Sequence, residues 1–305
     1  MFKIAVQTGG VEERFGIKEC YKIIKEAGFD AADANIDHLF SYADIVAKRI
    51  PKHFLGSEKD LFEACRPWKE GAETYGVENY QAHAPFPSYI AGGDEEYNKK
   101  LVEMLKSTIR AADYIGCRNL IIHPFFLAYS EHMTPEREWE LNIDHYSALI
   151  PTAKEYGVTI CLENMFSGGP GGKIYSACCS DIDLACKYID TLNDIAGVRQ
   201  FGFCLDTGHL LIVGKDIKDT MVKLGDRITA FHVHDNDGMH DQHIAPYMGI
   251  LDWERFIEGL KAIKFNKTLS FETFNVINKY GTDLALDALK LIAATGRDFA
   301  RKASE

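Results

Sequence analysis

Several signatures are missing from this 305-residue chain, and each absence narrows what it can do. The eight cysteines include no C-x-x-C pair and no regular framework; Cys161 in TICLEN and Cys204 in FGFCLDTG lie inside apolar runs. A reduced, buried thiol there behaves as a small hydrophobe. No apolar run reaches the roughly 20 residues that span a bilayer. The opening MFKIAVQTGG reads as a strand rather than a signal peptide. A reducing, cytoplasmic setting is therefore expected. Positive charge is also scarce: 34 Lys and Arg stand against 45 Asp and Glu, the net charge is −11, and no long basic run occurs. Nucleic-acid binding needs clustered cations against phosphate, so it is not the expected role. No G-x-G-x-x-G follows the first strand, which counts against a dinucleotide fold. No linker or low-complexity segment divides the chain, so one domain over residues 1–305 is expected.

What is present is a rhythm. KEAGFDAADANI, ETYGVENYQAHAPF, DYIGCRNLIIHPF and KEYGVTICLENM each end a helical stretch at a glycine and begin a short apolar strand. Gly28, Gly76, Gly116 and Gly157 stand where a helix end favours a left-handed residue. KIAVQTG opens the series, and FGFCLDTGH, ITAFHVHDN and TLSFETF continue it. The spacing predicts eight strands near residues 3–8, 30–36, 79–84, 118–123, 159–163, 201–206, 228–234 and 268–272. The segments between them, such as EEYNKKLVEMLKSTIRAADYIG and DWERFIEGLKAIK, have helical periodicity. Strands alternating with helices imply parallel pairing through right-handed crossovers. Eight units suit a closed α/β architecture, the (β/α)8 TIM barrel, better than an open sheet.

Active sites of such barrels lie at the C-terminal strand ends. There the sequence places His83 (QAHAPF), His123 (IIHPF), Glu163 (CLEN), Asp206 with His209 (CLDTGH), His232 and His234, and Glu272 (SFETF). A lone histidine at a strand end is commonly structural, and a lone carboxylate commonly caps the next helix. Six successive strands converging on one rim weaken that explanation, because uncompensated carboxylates repel one another. A divalent cation relieves the repulsion and suits mixed oxygen and imidazole donors.

The densest stretch is FHVHDNDGMHDQH, residues 231–243, with four histidines among three aspartates. Glu163, Asp206, one histidine of strand seven and Glu272 form a candidate four-ligand site for Mn²⁺, Mg²⁺, Co²⁺ or Zn²⁺. His232 and His234 share parity and both point inward. His234 lies nearer the rim and is the favoured ligand, with His232 beside it or facing substrate. His83 and His123 flank a second ion or bind substrate, and His209, Asp241 and His243 are a candidate third cluster for additional zinc. His240 is assigned to the loop surface.

At these residues the chain resembles the xylose isomerase-like barrel superfamily, specifically its sugar phosphate isomerase/epimerase and endonuclease IV group. HAPF, IIHP, LENM, LDTGH, HVHDNDG…DQH, GILDW and SFETF run in that family's order. Similarity to ketose 3-epimerases implies one divalent ion on Glu163, Asp206, His234 and Glu272, with His209 contacting the sugar. Similarity to endonuclease IV implies three zinc ions, and residue types for all nine ligands are present: His83, His123, Glu163, Asp206, His209, His234, Asp241, His243 and Glu272.

The isomerase/epimerase expectation uses Glu163 and Glu272 as catalytic acid and base on a sugar or sugar phosphate, by way of a metal-stabilised enediolate. The alternative, a trinuclear zinc phosphodiesterase for abasic DNA, needs a basic, DNA-bending surface that TGGVEERFG and DHLFSYAD do not supply. A non-catalytic sugar- or metal-binding barrel fits poorly, since both acid/base glutamates are retained. NMFSGGPGGKIYSACC fails the phosphate-loop spacing, with Ser167 at the first glycine position and Ile174 after the lysine. It reads either as a surface loop or as a lid bringing Lys173 or Tyr175 to substrate. Phe86, Tyr89, Phe125, Phe126 and Tyr129 are candidates for an apolar wall or for packing, and Trp253 for anchoring the start of a helix. The resemblance also admits a homo-oligomer and gives no reason to expect a membrane partner.

Overall fold

A computed structural model describes residues 2–90, 94–126 and 134–305, with Leu55 described by its backbone only. Eight parallel strands form the barrel: β1 (Lys3–Gln7), β2 (Ala31–Ala34), β3 (Glu78–His83), β4 (Asn119–Ile121), β5 (Thr159–Glu163), β6 (Phe201–Asp206), β7 (Ile228–His232) and β8 (Thr268–Phe271). Sequential neighbours pair in order, β8 returns to β1 in register from Lys3↔Thr268 to Val6↔Phe271, and a parallel bridge between Val233 and Phe271 nearly closes the ring. At that bridge the Val233 amide donates to the Ser270 carbonyl at 2.9 Å and the Glu272 amide to the Val233 carbonyl at 3.1 Å.

The helices between strands include Ile17–Ala27, Glu58–Tyr75, Glu95–Tyr114, Pro135–Ser147, Ile182–Ala196, Ile217–Leu224, Trp253–Ala262 and Thr282–Ser304. Side-chain oxygens of Ser57, Asp94, Thr134, Asp181, Asp216 and Asp252 accept amide hydrogens in the first turns of six of them, satisfying groups that lack an intrahelical partner. Gly28, Gly76 and Gly157 end their helices in the left-handed conformation.

Strand alternation separates two cores. Residues such as Ile4, Ala32, Leu120, Leu162, Phe203 and Phe231 pack outward into one continuous core with the helices. Ile121, Cys161, Cys204 and Ala230 form a separate small cluster in the barrel interior. Strands apolar on both faces read as short hydrophobic runs, as buried parallel strands do. All eight cysteines are free thiols. Among the described residues no helix is long and apolar enough to cross a membrane.

One element departs from the expected pattern. Residues 164–179 carry a small antiparallel hairpin, Phe166–Gly168 against Ile174–Ser176, where sequence reading gave only a loop or lid. Its strands are three residues each with a glycine- and proline-rich turn, too short to give a periodic signal.

The last helix packs on the helix Trp253–Ala262 through Phe299, fully buried, stacked 5.3 Å from Trp253 and edge-on 5.6 Å from Phe256. Phe299→Ala removes that ring from a packed site and is expected to cost about 3–5 kcal/mol, read as a lower urea midpoint with an unchanged slope.

Candidate functional site

Every barrel strand presents a polar side chain at, or within two residues of, its C-terminal end: Gln7, Asp33, His83, His123, Glu163, Asp206, His232 and Glu272. The alternation that puts Cys161, Cys204 and Ala230 inside the barrel puts Glu163, Asp206 and His232 inside two residues later. These side chains are withdrawn from water: Asp33, Asp206 and His232 are 0% exposed and Glu163 is 1%.

His232 sits at the centre. Its Nδ1 lies 3.2 Å from Glu163 Oε1, 3.7 Å from Glu272 Oε2 and 3.9 Å from Asp206 Oδ2, while its Nε2 lies 3.4 Å from Asp33 Oδ2. His234, one pleat nearer the rim, places Nε2 3.0 Å from Asp206 Oδ2. His123 Nε2 lies 3.0 Å from Glu163 Oε2. His209 Nδ1 is 3.3 Å from Glu163 Oε1 and its Nε2 3.5 Å from Asp241 Oδ2. His243 spans Asp241, at 2.9 Å, and Glu272, at 3.4 Å, and stacks on His234 with ring centres 4.1 Å apart. Gln7 Nε2 donates to Glu272 Oε1 at 2.7 Å.

Two local motifs hold this arrangement. In LDTGH the Asp206 carboxylate caps the helix Thr207–Ile212 by accepting the His209 amide at 2.6 Å, so the capping explanation for this residue holds alongside its place in the cluster. Thr207 Oγ1 donates to the His234 carbonyl at 2.7 Å and accepts the His234 amide at 3.0 Å, locking β6 to β7. A Cβ on Gly208 would stand 2.0 Å from His234 Cε1, so only glycine admits that ring.

The histidine-rich stretch divides its labour. Asp235 accepts the Trp253 indole N–H at 2.9 Å and the Leu251 amide at 3.0 Å, anchoring the next helix as Trp253 was expected to do. Asp237 pairs at 2.9 Å with His240, whose side chain is 70% exposed. The antiparallel bridge Asp235↔Ile244 turns the chain back, returning Asp241 and His243 to the cluster. His243 holds a left-handed φ of 44°, unusual for a non-glycine residue and typical of functional sites.

Electrostatically the imidazoles take the part of cations. Burial opposes ionisation of Glu163, yet the His232 and His123 rings beside it hold its carboxyl well below the usual range. Glu272 is likewise held low against burial by His232 and His243. Burial would lower His209, but Asp206 and Asp241 raise it to about 10. His83, dominated by burial and by His232, falls to about 4.

The donor set fits a divalent cation. Glu163 Oε2, His234 Nδ1, Asp241 Oδ1, His243 Nδ1 and both His232 nitrogens are buried without a hydrogen-bond partner, although oppositely charged groups stand within 3 to 4 Å. Close but unaligned donors facing a common space suit coordination better than hydrogen bonding. Three-residue groups with mutually close ligand atoms include His83, His123, Glu163; His209, Asp241, His243; and His234, His243, Glu272.

Every site residue expected from the sequence therefore joins this cluster except Lys173, exposed on the turn of the hairpin. The hairpin does approach the site, through the Phe166 ring 5.0 Å from His209. Phe86 packs edge-on against His123 at 5.1 Å, and Tyr89 against Phe125 at 4.4 Å; Tyr129 lies outside the described residues. Sequence reading missed Gln7 and Asp33. Asking of strands one and two which polar residue lies near the strand end, as was asked of the other six, points to Gln7 and Asp33.

A family model described as xylose isomerase-like TIM barrel matches residues 21–298. The uncharacterized protein y4fM of Sinorhizobium fredii is 25% identical over 271 residues, 85% of this chain and 81% of that one. A probable endonuclease 4 of Thermoplasma acidophilum is 28% identical over 177 residues, 55% and 56% of the two chains. An inosose isomerase of Bacillus velezensis is 24% identical over 187 residues, 59% and 62% of the two. Among solved structures, the 3-keto-D-glucoside 4-epimerase YcjR of E. coli superposes with a TM-score of 0.71 at 16% identity, over 96% of this chain and 100% of that one. An L-ribulose 3-epimerase gives 0.71 at 16%, over 100% and 96%. The IolI protein with a binding zinc atom gives 0.69 at 17%, over 99% and 98%. These structural likenesses show the shared fold.

Gly208→Ala tests the packing around His234. It is expected to destabilise the chain by about 1–3 kcal/mol through overpacking and to weaken Mn²⁺ or Co²⁺ binding measured by titration calorimetry.

Proposed function

The chain belongs to the xylose isomerase-like TIM-barrel family, and on that premise we propose that it is a divalent-metal-dependent isomerase or epimerase of a sugar or sugar phosphate. The observation that carries this is the approach of Glu163 and Glu272, from β5 and β8, to one imidazole nitrogen at 3.2 and 3.7 Å. Two ionised carboxylates from separate strands thus border one small, water-poor volume.

One glutamate removes the proton from the carbon next to the substrate carbonyl. The C–H electron pair becomes the enediolate double bond, and the carbonyl oxygen takes the negative charge. Return of a proton to the same carbon from the other face re-forms the carbonyl and gives the epimer; return to the former carbonyl carbon, with the hydroxyl proton of the first carbon passing to the former carbonyl oxygen, gives the isomer. Gln7 fixes Glu272 through Oε1, while Oε2 faces the His243 and His232 rings at 3.4 and 3.7 Å. Glu163, Asp206, His234 and Glu272 are the residues proposed to hold the ion, which would supply the positive charge that favours enediolate formation. His83, His123, His209 and His232 border the same volume and are proposed to bind substrate hydroxyls.

A second reading has one observation in its favour: the cluster divides into several ligand triads, including His209, Asp241 and His243. That is the donor supply of a three-zinc phosphodiesterase acting on abasic DNA. Against it stand the excess of acidic over basic residues, 45 to 34, and the cationic surface that bent DNA requires.

Glu163→Gln and Glu272→Gln are each expected to lower kcat by roughly 10²–10⁴ with unchanged circular dichroism, and to slow solvent-deuterium incorporation into substrate in parallel. Wild-type turnover by either variant sinks the two-glutamate scheme. Elemental analysis of the purified protein separates the two readings. One Mn or Co per chain is expected; three Zn together with nicking of abasic DNA would favour the phosphodiesterase.

A further inference from the structure

The last helix, Thr282–Ser304, is apolar on two faces. Ala285, Leu289, Ile292 and Ala293 turn inward and are buried in the core, while Leu284 and Leu291 point outward on either side of the half-buried Ala288. Other outer helices of the barrel turn charge to solvent instead: Lys18, Lys22, Lys25 and Glu26 on Ile17–Ala27, and Glu254, Glu258 and Lys261 on Trp253–Ala262. A helix that is apolar nearly all round is ordinarily covered on every side. The bare stripe borders a groove of about 220 Å³, lined by Met248, Tyr280, Leu284, Ala288 and Leu291, with Asp287 its one charged residue among those described. The loop after β7 extends the face. Tyr247 packs 6.0 Å from Phe299, and a Cβ on Gly238, beside Met239, would stand 3.1 Å from Ile250 Cδ1. Met239, Tyr247, Met248 and Ile250 from the loop, with Tyr280, Leu284 and Leu291, are 41–66% exposed. Among the described residues these are seven of the twelve large apolar side chains left exposed, so the bareness is local and not a general property of the surface. Together they offer on the order of 700 Å², more than the largest apolar patch of a typical monomer and close to the roughly 800 Å² that each partner gives a stable interface.

Charge selects the occupant. The chain carries −11 overall, so two copies repel over most of their surfaces. Between residues 279 and 291 the balance is even: Lys279 and Lys290 stand against Asp283 and Asp287, and Lys290 pairs with Asp287 at 3.3 Å. A bilayer would call for a cationic rim, and a strongly charged partner for an excess of the opposite sign. A neutral rim round an apolar centre is complementary to itself, as a two-fold interface requires.

We propose that a second copy of this chain docks on this face, the outward stripes of the two last helices crossing near Ala288 about a two-fold axis. The small Ala288 lets the helix axes approach, and an antiparallel crossing turns Leu284 of each copy toward Leu291 of the other. The same association covers the loop that returns Asp241 and His243 to the cluster, so assembly and site share one segment.

The test measures the mass of the full chain by analytical ultracentrifugation across micromolar concentrations. The expected result is a dimer, or a tetramer that falls to a dimer when this face is altered. Leu284→Asp combined with Leu291→Asp sets four like charges in one patch and is expected to raise the dissociation constant at least about a hundredfold. Circular dichroism and the urea midpoint should hold, because both side chains are exposed in the single chain. Leu284→Ala combined with Leu291→Ala keeps the helix and removes only apolar bulk; an expected rise of about tenfold guards against a folding defect in the aspartate pair. Amide hydrogen exchange locates the face: residues 239–250 and 280–291 are expected to exchange more slowly in the wild type than in the aspartate pair. A wild-type chain that stays monomeric overturns the proposal, and so does an assembly that neither pair weakens. Protection confined to other helices overturns it as well. No readout uses substrate or ion, so the outcome is independent of the isomerase/epimerase reading.

Discussion

The structure is organised around a repulsion that the barrel mouth must contain. Asp33, Glu163, Asp206 and Glu272 are carboxylates gathered where water is largely excluded, and Asp241 joins them from the loop after β7. A like-charge pair at about 4 Å and an effective dielectric of about 20 costs roughly 4 kcal/mol. Imidazoles lie between the carboxylates throughout: His232 between Asp33 and the Glu163–Asp206–Glu272 trio, His243 between Asp241 and Glu272, His209 between Glu163 and Asp241. Protonated rings and a divalent cation are alternative ways of meeting the same demand, since both place positive charge at the same lone pairs. The strands can impose this crowding because the core outside the sheet, from Ile4 round to Phe299, is continuous and fully buried. The favourable packing is remote from the site, and the strain is local to it.

Much of this is legible in the chain because a parallel barrel strand is chemically uniform until its last residue. TICLE and FGFCLD are apolar up to a terminal carboxylate, so the switch from Leu to Glu163 or Asp206 marks both the strand end and the rim. The same logic held for His123, His232 and Glu272, whereas the strand ending at His83, ENYQAH, is already polar and was read from the histidine itself. It passed over Gln7 and Asp33 because their surroundings hide the switch. KIAVQTG ends on an uncharged amide, and AADAN resembles the start of a helix, where an aspartate caps without further meaning. The hairpin at residues 166–176 was hidden for another reason: its pairing depends on contacts across a glycine-rich turn, and no periodicity in three-residue strands announces it.

Residues 231–243 show where composition stops being informative. Asp235, Asp237 and Asp241 are alike in a sequence string, but the first ties down the Trp253 indole, the second a surface turn and the third the ionic cluster. What separates them is the chain reversal closed by the paired Asp235 and Ile244 backbones, at 2.8 and 3.2 Å. That reversal carries His243 back onto the face of His234 and sends His240 to solvent. Spacing alone could nominate these residues but could not assign them, because the assignment is made by two backbone hydrogen bonds nine residues apart.

Gln7 links the two halves of the mouth. Its amide nitrogen donates to Glu272 Oε1 at 2.7 Å across the seam where β8 pairs with β1, and the side chain is 4% exposed. The bond fixes one oxygen of a carboxylate proposed both to hold the ion and to move a proton. The position of that carboxylate is therefore set by β1 as well as by the strand that carries it, and a loosened first strand would misplace it as surely as a change in β8.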